Sequence, residues 1–297
     1  MSKKSFILSI ILFVFSLFLL DRLLNEFLEK GLNKYYGIGE SNEIALIGHS
    51  HLMLGLNKLQ IEEALKKGVS KYTREGVNVS DRLVMTKQLL KKNTNLKTVI
   101  YGVDAWTFTG EGLSENSYKL FYPFLDDPII DDYVYNNSER VEYISKKYLK
   151  SSRYNEQLIS GAMRGYLKNW TNLKYGIVDT LKLMKTIENQ TFRKINNNSD
   201  NIRVLEETLS LLRENNINVI LLNLPTIDKL TTIQKEDFNN TFRIFKNLTN
   251  DQVEFVDFQE PWSHRYDLFF DPIHLNPKGQ SLITEKLIEC LKFNDNE

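Results

Sequence analysis

The pattern of apolar and polar positions divides this 297-residue chain into three stretches. From Phe6 to Leu20 the only polar residues are Ser9 and Ser16, with Lys3 and Lys4 ahead of the run and Asp21 and Arg22 behind it. Such a run lies near the lower length limit for a membrane-spanning helix. Leu23, Leu24, Phe27 and Leu28 carry an apolar stripe further, and Asn25 to Tyr36 reads as a stalk. Positive charge before the run predicts a cytoplasmic N-terminus and an exported body. A cleaved signal peptide would fit the same length. The run, however, ends in Leu-Phe-Leu-Leu-Asp with no small-residue cleavage site, and no cysteine lies near for lipid attachment. The expectation is therefore an uncleaved anchor and stalk over residues 1–30, followed by one catalytic body over 31–297.

Beyond the anchor, short apolar runs alternate with helical patterns, the signature of a parallel sheet covered on both faces. Ile44–Ile47, Thr98–Val103, Val219–Leu224 and Val253–Phe258 are apolar and rich in β-branched residues, as strands buried on both faces should be. A weaker fifth candidate surrounds Val77–Val79. Asp200 is expected to cap a helix carrying Val204, Leu205, Leu209 and Leu212 that exits at Asn215-Asn216. Asn276 followed by Pro277 predicts the start of a last helix with Leu282, Ile283, Leu287, Ile288 and Leu291 on one face. Residues 110–199 fit the alternation poorly and read as a mostly helical insertion, with helices near Arg140–Tyr148 and Glu156–Leu167. Its aromatics (Tyr118, Phe121, Tyr122, Phe124, Tyr133, Tyr135) either line a substrate groove or pack the insertion onto the core.

Composition narrows the function classes. Thirty-eight basic residues balance thirty-eight acidic ones, and no long basic tract occurs, so nucleic acid is not an expected partner. A single cysteine, Cys290, excludes an intrachain disulfide and reads as a buried, inert thiol. Several Asn-x-Ser/Thr triplets, including those at Asn78, Asn136, Asn169, Asn189 and Asn247, match chance in so Asn-rich a chain. His49, His51, His264 and His274 have no zinc-motif spacing, so neither metal nor cofactor is expected.

Two stretches carry chemistry. In Ile44-Ala-Leu-Ile-Gly-His-Ser-His51 a strand ends in a turn, and Ser50 stands before a helix, beyond the carboxyl end of the strand where α/β sheets bind ligands. Alone, Ser50 reads as a helix cap ahead of a nucleophile. In Phe269-Phe-Asp-Pro-Ile-His-Leu-Asn-Pro-Lys-Gly279, turn chemistry explains Pro272, Asn276 and Pro277 but leaves His274 unexplained. A serine needs a base, and the base needs an orienting group. Asp271 and His274 lie at a spacing that lets one loop present both.

Together these stretches resemble SGNH (GDSL-like) hydrolases. Gly48-His49-Ser50-His51 is similar to their first block, Gly-Asp-Ser or, in envelope relatives, Gly-Ser-Ser-His. Asp271-Pro-Ile-His274-Leu-Asn-Pro-Lys-Gly279 is similar to their last, Asp-x-x-His-Leu-Asn-x-x-Gly. The resemblance implies an α/β, flavodoxin-like three-layer fold with a central parallel sheet of about five strands. It implies Ser50 as nucleophile, His274 as base and Asp271 as orienting carboxylate, with the Ser50 N–H in the oxyanion hole. Asn78-Val79-Ser80 resembles the Asn-Leu-Gly or Asn-Leu-Ser of the second block, which would make the Ser80 N–H a further donor. Where the third block has Gly-x-Asn-Asp, this chain has Gly102-Val103-Asp104-Ala105, and a carboxylate cannot donate a hydrogen bond unless protonated. Asp104 is then expected to bind substrate hydroxyls, position a neighbour or act on His274, and His51 to pack near the nucleophile turn or touch substrate. His264 is expected to be structural.

The anchor and the Gly-x-Ser-His block are similar to an envelope branch that includes the D-alanyl transfer protein of teichoic acid synthesis and alginate acetyltransferases. That likeness implies an acylated glycan or small ester as substrate and, for transfer, a membrane-bound acyl-donor protein as partner. A scaffold that keeps the fold without efficient chemistry is the alternative.

Overall fold

A computed structural model describes residues 2–110 and 116–294. In chain order the elements are α1 (Lys3–Tyr36), β1 (Ile44–Gly48), α2 (Ser50–Gly55), α3 (Lys58–Leu65), β2 (Val69–Thr73), α4 (Val79–Lys92) and β3 (Thr98–Val103). Then come α5 (Pro128–Asn137), α6 (Arg140–Tyr148), α7 (Glu156–Tyr166), α8 (Thr180–Glu188), α9 (Ser199–Glu214) and β4 (Asn218–Asn223). The chain ends with α10 (Asp228–Ile233), α11 (Lys235–Asn247), β5 (Val253–Asp257) and α12 (Pro277–Asn294). It divides into two compact units, residues 1–35 with 118–169, and residues 36–117 with 170–297.

The larger unit is built on a five-stranded, all-parallel sheet in the order β2-β1-β3-β4-β5. β1, β3 and β4 are almost wholly buried, which their unbroken apolar runs require. Helices α4 and α9 pack together over β1 and β4, while α3 and α12 pack together with α2 and β2. Because the order runs 2-1-3, successive connections leave β1 in opposite directions. The crevice beyond the carboxyl ends of β1 and β3 is thus the topological switch point, the usual ligand site of such sheets.

The fifth strand lies elsewhere than the sequence suggests. β2 is Val69–Thr73, whereas Val77 precedes the Asn78 cap of α4 and Val79 begins that helix. β2 shows no apolar run because Ser70 and Lys71 are buried in it with partners of their own. The Ser70 hydroxyl donates to the Gly37 carbonyl (2.7 Å). The Lys71 ammonium donates to the carbonyls of Met53 (2.8 Å) and Leu56 (2.6 Å), which relieves the unpaired acceptors and negative end of α2. The cap of α9 is also shifted: Asn198, not Asp200, accepts from the N–H groups of Asp200 and Asn201. Cys290 is half-buried rather than buried, and burial pushes its thiol pKa up.

In the smaller unit α1 runs unbroken through the expected anchor and stalk, and it is long and apolar enough to cross a membrane. Its second half packs on α7 at very short range, since a Cβ on Gly165 would lie 2.0 Å from the Gly31 carbonyl oxygen. The aromatics Tyr118, Phe121, Tyr122 and Phe124 are buried. Phe121 meets Tyr133 edge-on and Tyr118 meets Tyr122 likewise, so these rings form the core of this unit.

Candidate active site

β1 delivers Gly48 to the switch point, and the chain turns at once into α2. A Cβ on Gly48 would meet the Leu52 Cβ at 2.9 Å, and one on Gly102 would meet it at 3.0 Å. Two glycines at adjacent strand ends therefore make the seat for Leu52 and hold the first turn of α2 against the sheet. His49 is the N-cap of that helix: its Nδ1 accepts from the His51 N–H (3.2 Å). Ser50 is the first helical residue.

The loop before α12 brings the other two residues. Phe269 bridges to Leu275, and the Phe270 N–H donates to the His274 carbonyl (2.9 Å), closing a tight hairpin. Asp271 Oδ1 accepts from the N–H groups of Ile273 (2.9 Å) and His274 (2.8 Å). Asn276 caps α12 by accepting from the Gly279 N–H (3.1 Å), and its Nδ2 donates to the Asp267 carbonyl (2.9 Å). A Cβ on Gly279 would lie 2.3 Å from the Leu268 carbonyl oxygen, which accounts for a glycine there.

The structure joins Asp271, His274 and Ser50 in one line. His274 Nδ1 lies 2.8 Å from Asp271 Oδ2, and His274 Nε2 lies 2.9 Å from Ser50 Oγ. Burial opposes charge on Asp271, but the hydrogen bond from His274 and those from the loop N–H groups hold its pKa below the usual carboxylate range. An ionised Asp271 only accepts, so the proton sits on His274 Nδ1. Nε2 then presents a lone pair to the Ser50 hydroxyl, the tautomer a general base requires.

Beside this line is a second one. Asp104 Oδ2 lies 3.0 Å from His49 Nε2 and 3.7 Å from His51 Nδ1. Asp104 Oδ1 accepts from the Trp106 N–H (2.9 Å) and the Thr107 hydroxyl (3.2 Å). Because a backbone N–H occupies His49 Nδ1, the His49 proton is on Nε2 and is donated to Asp104. Burial lowers the His49 pKa against the pull of Asp104. Burial opposes ionisation of Asp104, yet the contacts from His49 and then His51 hold it well below the carboxylate range. Asp104 is thus an anion that accepts from three donors, His49, Trp106 and Thr107, and its nearest ring neighbours are His49 and His51 rather than His274.

Ser50 and His274 open into a cavity of about 280 Å³ whose lining includes His49, Glu75, Gly76, Arg82, Asp104 and Arg193. The second-block residues take other places. Asn78 and Asp81 form a reciprocal capping box at the start of α4, Ser80 lies in its first turn, and from this loop it is Glu75 and Gly76 that line the cavity. His51 is buried, with Nε2 donating to the Pro225 carbonyl (3.2 Å), so it braces the turn instead of facing substrate. His264 is remote and exposed, beside Asp228 (3.1 Å) and Glu260 (3.5 Å). Among the described residues no cluster of His, Cys, Asp or Glu is arranged to hold a metal.

Arg82 is the site residue the sequence pattern missed. It is 1% exposed, yet it lines the cavity. Its Nη1 donates to the Gly102 carbonyl (2.7 Å), its Nε to the Asn78 carbonyl (3.2 Å), and its guanidinium lies over the Tyr101 ring (4.9 Å). These neutral partners leave its charge available to the cavity. One signal was present: an arginine inside an otherwise core-facing stretch, Val79-Ser-Asp-Arg-Leu-Val-Met85.

A protein-family model that specifies no activity matches residues 55–293. The chain belongs to that family. The match begins at Gly55, the last residue of α2, and takes in the His274 loop. Curated protein sequences returned no match. Among solved structures, the chain is similar to a lipase from a goat rumen metagenome, with 13% identity over 82% of this chain and 94% of that one, at a TM-score of 0.42. It is similar to a Bacteroides fragilis protein described as an acylhydrolase, with 11% identity over 86% and 88% of the two chains and a TM-score of 0.42. It is also similar to a Streptococcus pneumonia protein described as a platelet activating factor, with 12% identity over 93% and 99% and a TM-score of 0.42.

Proposed function

We propose that the chain is a serine-dependent esterase or acyltransferase of the SGNH type, anchored in a membrane through α1. The observation that carries this reading is the Asp271–His274–Ser50 line of hydrogen bonds at the switch point. In the proposed reaction Ser50 Oγ attacks an ester carbonyl as its proton passes to His274 Nε2. The tetrahedral intermediate carries a negative charge, for which the Ser50 N–H, the Gly76 N–H and the Arg82 guanidinium are the stabilising groups. Its collapse breaks the C–O bond, and His274 returns the proton to the departing alcohol. Water then releases the acyl group from Ser50 as an acid, or a sugar hydroxyl takes it as a new ester. Resemblance to the envelope branch favours O-acetyl or a similar acyl group on an exported, cell-envelope glycan as the substrate.

The test uses the full chain in detergent with a fluorophosphonate probe and p-nitrophenyl acetate. The parent should label and turn over, and Ser50→Ala should do neither. Robust labelling of Ser50→Ala would remove Ser50 as nucleophile. A well-folded parent inert to both reagents would favour the scaffold alternative. Transfer shows as a new O-acyl sugar formed when a polyol or oligosaccharide acceptor is added.

A further inference from the structure

The helix α6 is amphipathic in the wrong sense for a helix on a water-soluble surface. Such helices turn apolar residues inward and charged ones to solvent. In α6 the polar side faces the protein. Glu142 pairs with Lys119 (3.3 Å), Lys147 pairs with Asp131 (2.6 Å), the Tyr143 hydroxyl donates to Asp131 (2.8 Å) and Lys146 donates to the Ser152 carbonyl (2.5 Å). The apolar side faces out: Val141 is 80% exposed, Ile144 48% and Tyr148 74%, followed by Leu149 at 55%. Scattered exposed apolar residues need no explanation. These share the i, i+3, i+7 spacing of one face, with ion pairs on the other.

The position of this face says what covers it. The Arg22 guanidinium donates to the Tyr148 carbonyl (3.2 Å), and Asp21 accepts from the N–H groups of Lys150 (3.1 Å) and Ser151 (2.7 Å). These bonds tie the end of α6 to the first charged residues after the apolar run Phe6–Leu20, whose large side chains are all exposed. Under the anchor reading, on which this inference rests, Asp21 and Arg22 mark the depth where α1 leaves the hydrocarbon. The outward face of α6 therefore starts at the headgroup boundary, where amphipathic helices bury an apolar side and tyrosine is enriched. We propose that Val141, Ile144, Tyr148 and Leu149 form a membrane-interface face, lying in the headgroup–acyl boundary of the bilayer that α1 spans. A second contact of this kind restrains rotation and tilt of the smaller unit about α1, which a lone span leaves free.

The test places an environment-sensitive fluorophore on a cysteine introduced into full-length Cys290→Ser protein, reconstituted in phosphatidylcholine–phosphatidylglycerol vesicles. Labels at Val141→Cys, Ile144→Cys and Tyr148→Cys should shift to the blue and lose most of their emission when the lipids are brominated near the glycerol end of the acyl chains. A label at Asn136→Cys should be unaffected, and one at Val14→Cys, near the middle of the span, should be quenched by lipids brominated near the methyl end of the acyl chains. Quenching at Val14 without quenching on α6 would overturn the interface and leave the anchor standing. No quenching at Val14 would overturn the anchor and the interface with it. Labels on α6 shielded from aqueous acrylamide but untouched by brominated lipid would mean that a protein covers the face, which also overturns the proposal.

Discussion

The replacement Asp104→Asn supplies the side chain of the SGNH third block that this sequence resembles only in part, and the structure says it should do harm. Asp104 uses its oxygens only as acceptors, with Oδ2 toward the His49 Nε2–H and Oδ1 toward the Trp106 N–H and the Thr107 hydroxyl. An asparagine must turn its NH2 toward one of these two sides. Facing His49 it opposes the Nε2–H, which cannot move to Nδ1 because the His51 N–H holds that atom. Facing the other way it opposes the Trp106 N–H. Either orientation sets donor against donor in a buried place. A hydrogen bond to a charged group contributes roughly 1.5–3 kcal/mol, and removing the buried charge gives back part of its desolvation, so the net loss is about 2 kcal/mol. For a domain of this size that lowers Tm by roughly 4–8 °C. Thermal unfolding of parent and variant in the same detergent measures it. Activity should fall too, because His49 caps the helix that begins with Ser50.

The pH dependence gives a second check on Asp104. Its folded pKa lies below the unfolded value, so its contribution is complete above roughly pH 4 and is lost only as the pH falls through the lower folded value. His49 is held neutral by burial, and without the Asp104 charge its protonated form is disfavoured further. The gap in stability between parent and variant should therefore hold or widen from pH 7 to pH 5. A variant as stable as the parent and faster with p-nitrophenyl acetate would refute this reasoning, and would mean that Asp104 is only a poor substitute for an asparagine donor.

Two further substitutions test the site. Asp271→Asn should lower kcat by about three to four orders of magnitude, with a small change in Tm. Its NH2 would force His274 into the tautomer with Nε2–H, while the amide oxygen still accepts from Ile273 and His274 N–H; near-parental kcat would remove Asp271 from the reaction. Gly48→Ala should destabilise by about 1–3 kcal/mol and lower activity, because the new methyl meets Leu52 at 2.9 Å. Combining it with Leu52→Gly, which removes the clashing Cβ, should make the double variant less destabilised than the sum of the two single changes, and strictly additive effects would refute the seat.

What could be read from the sequence depended on whether a residue's surroundings are local. β1, β3 and β4 were visible because strands buried on both faces are nearly apolar throughout, β5 through Val253, Phe255 and Val256 although it is half-exposed, and α12 because Asn276 and Pro277 cap it with neighbours only a few residues away. Asp271 and His274 were legible for the same reason, since one hairpin sets their geometry. β2 was not, because Lys71 and Ser70 are satisfied by carbonyls of Leu56 and Gly37, which no periodicity in 69–73 encodes.

The same distinction orders the site itself. His49, Asp104 and Arg82 lie on the turn after β1, the turn after β3 and the helix between β2 and β3. Their partners become neighbours only because the 2-1-3 strand order sets β1 beside β3. The resemblance to the SGNH blocks takes positions 49 and 104 separately, and only Asp104 stands out there as a departure. In the fold they are one change, in which a histidine donor next to the nucleophile meets a carboxylate acceptor at the end of β3. In the proposed reaction that pairing takes Asp104 out of the oxyanion role and leaves the demand for positive charge to the guanidinium groups lining the same cavity, the buried Arg82 and the half-buried Arg193.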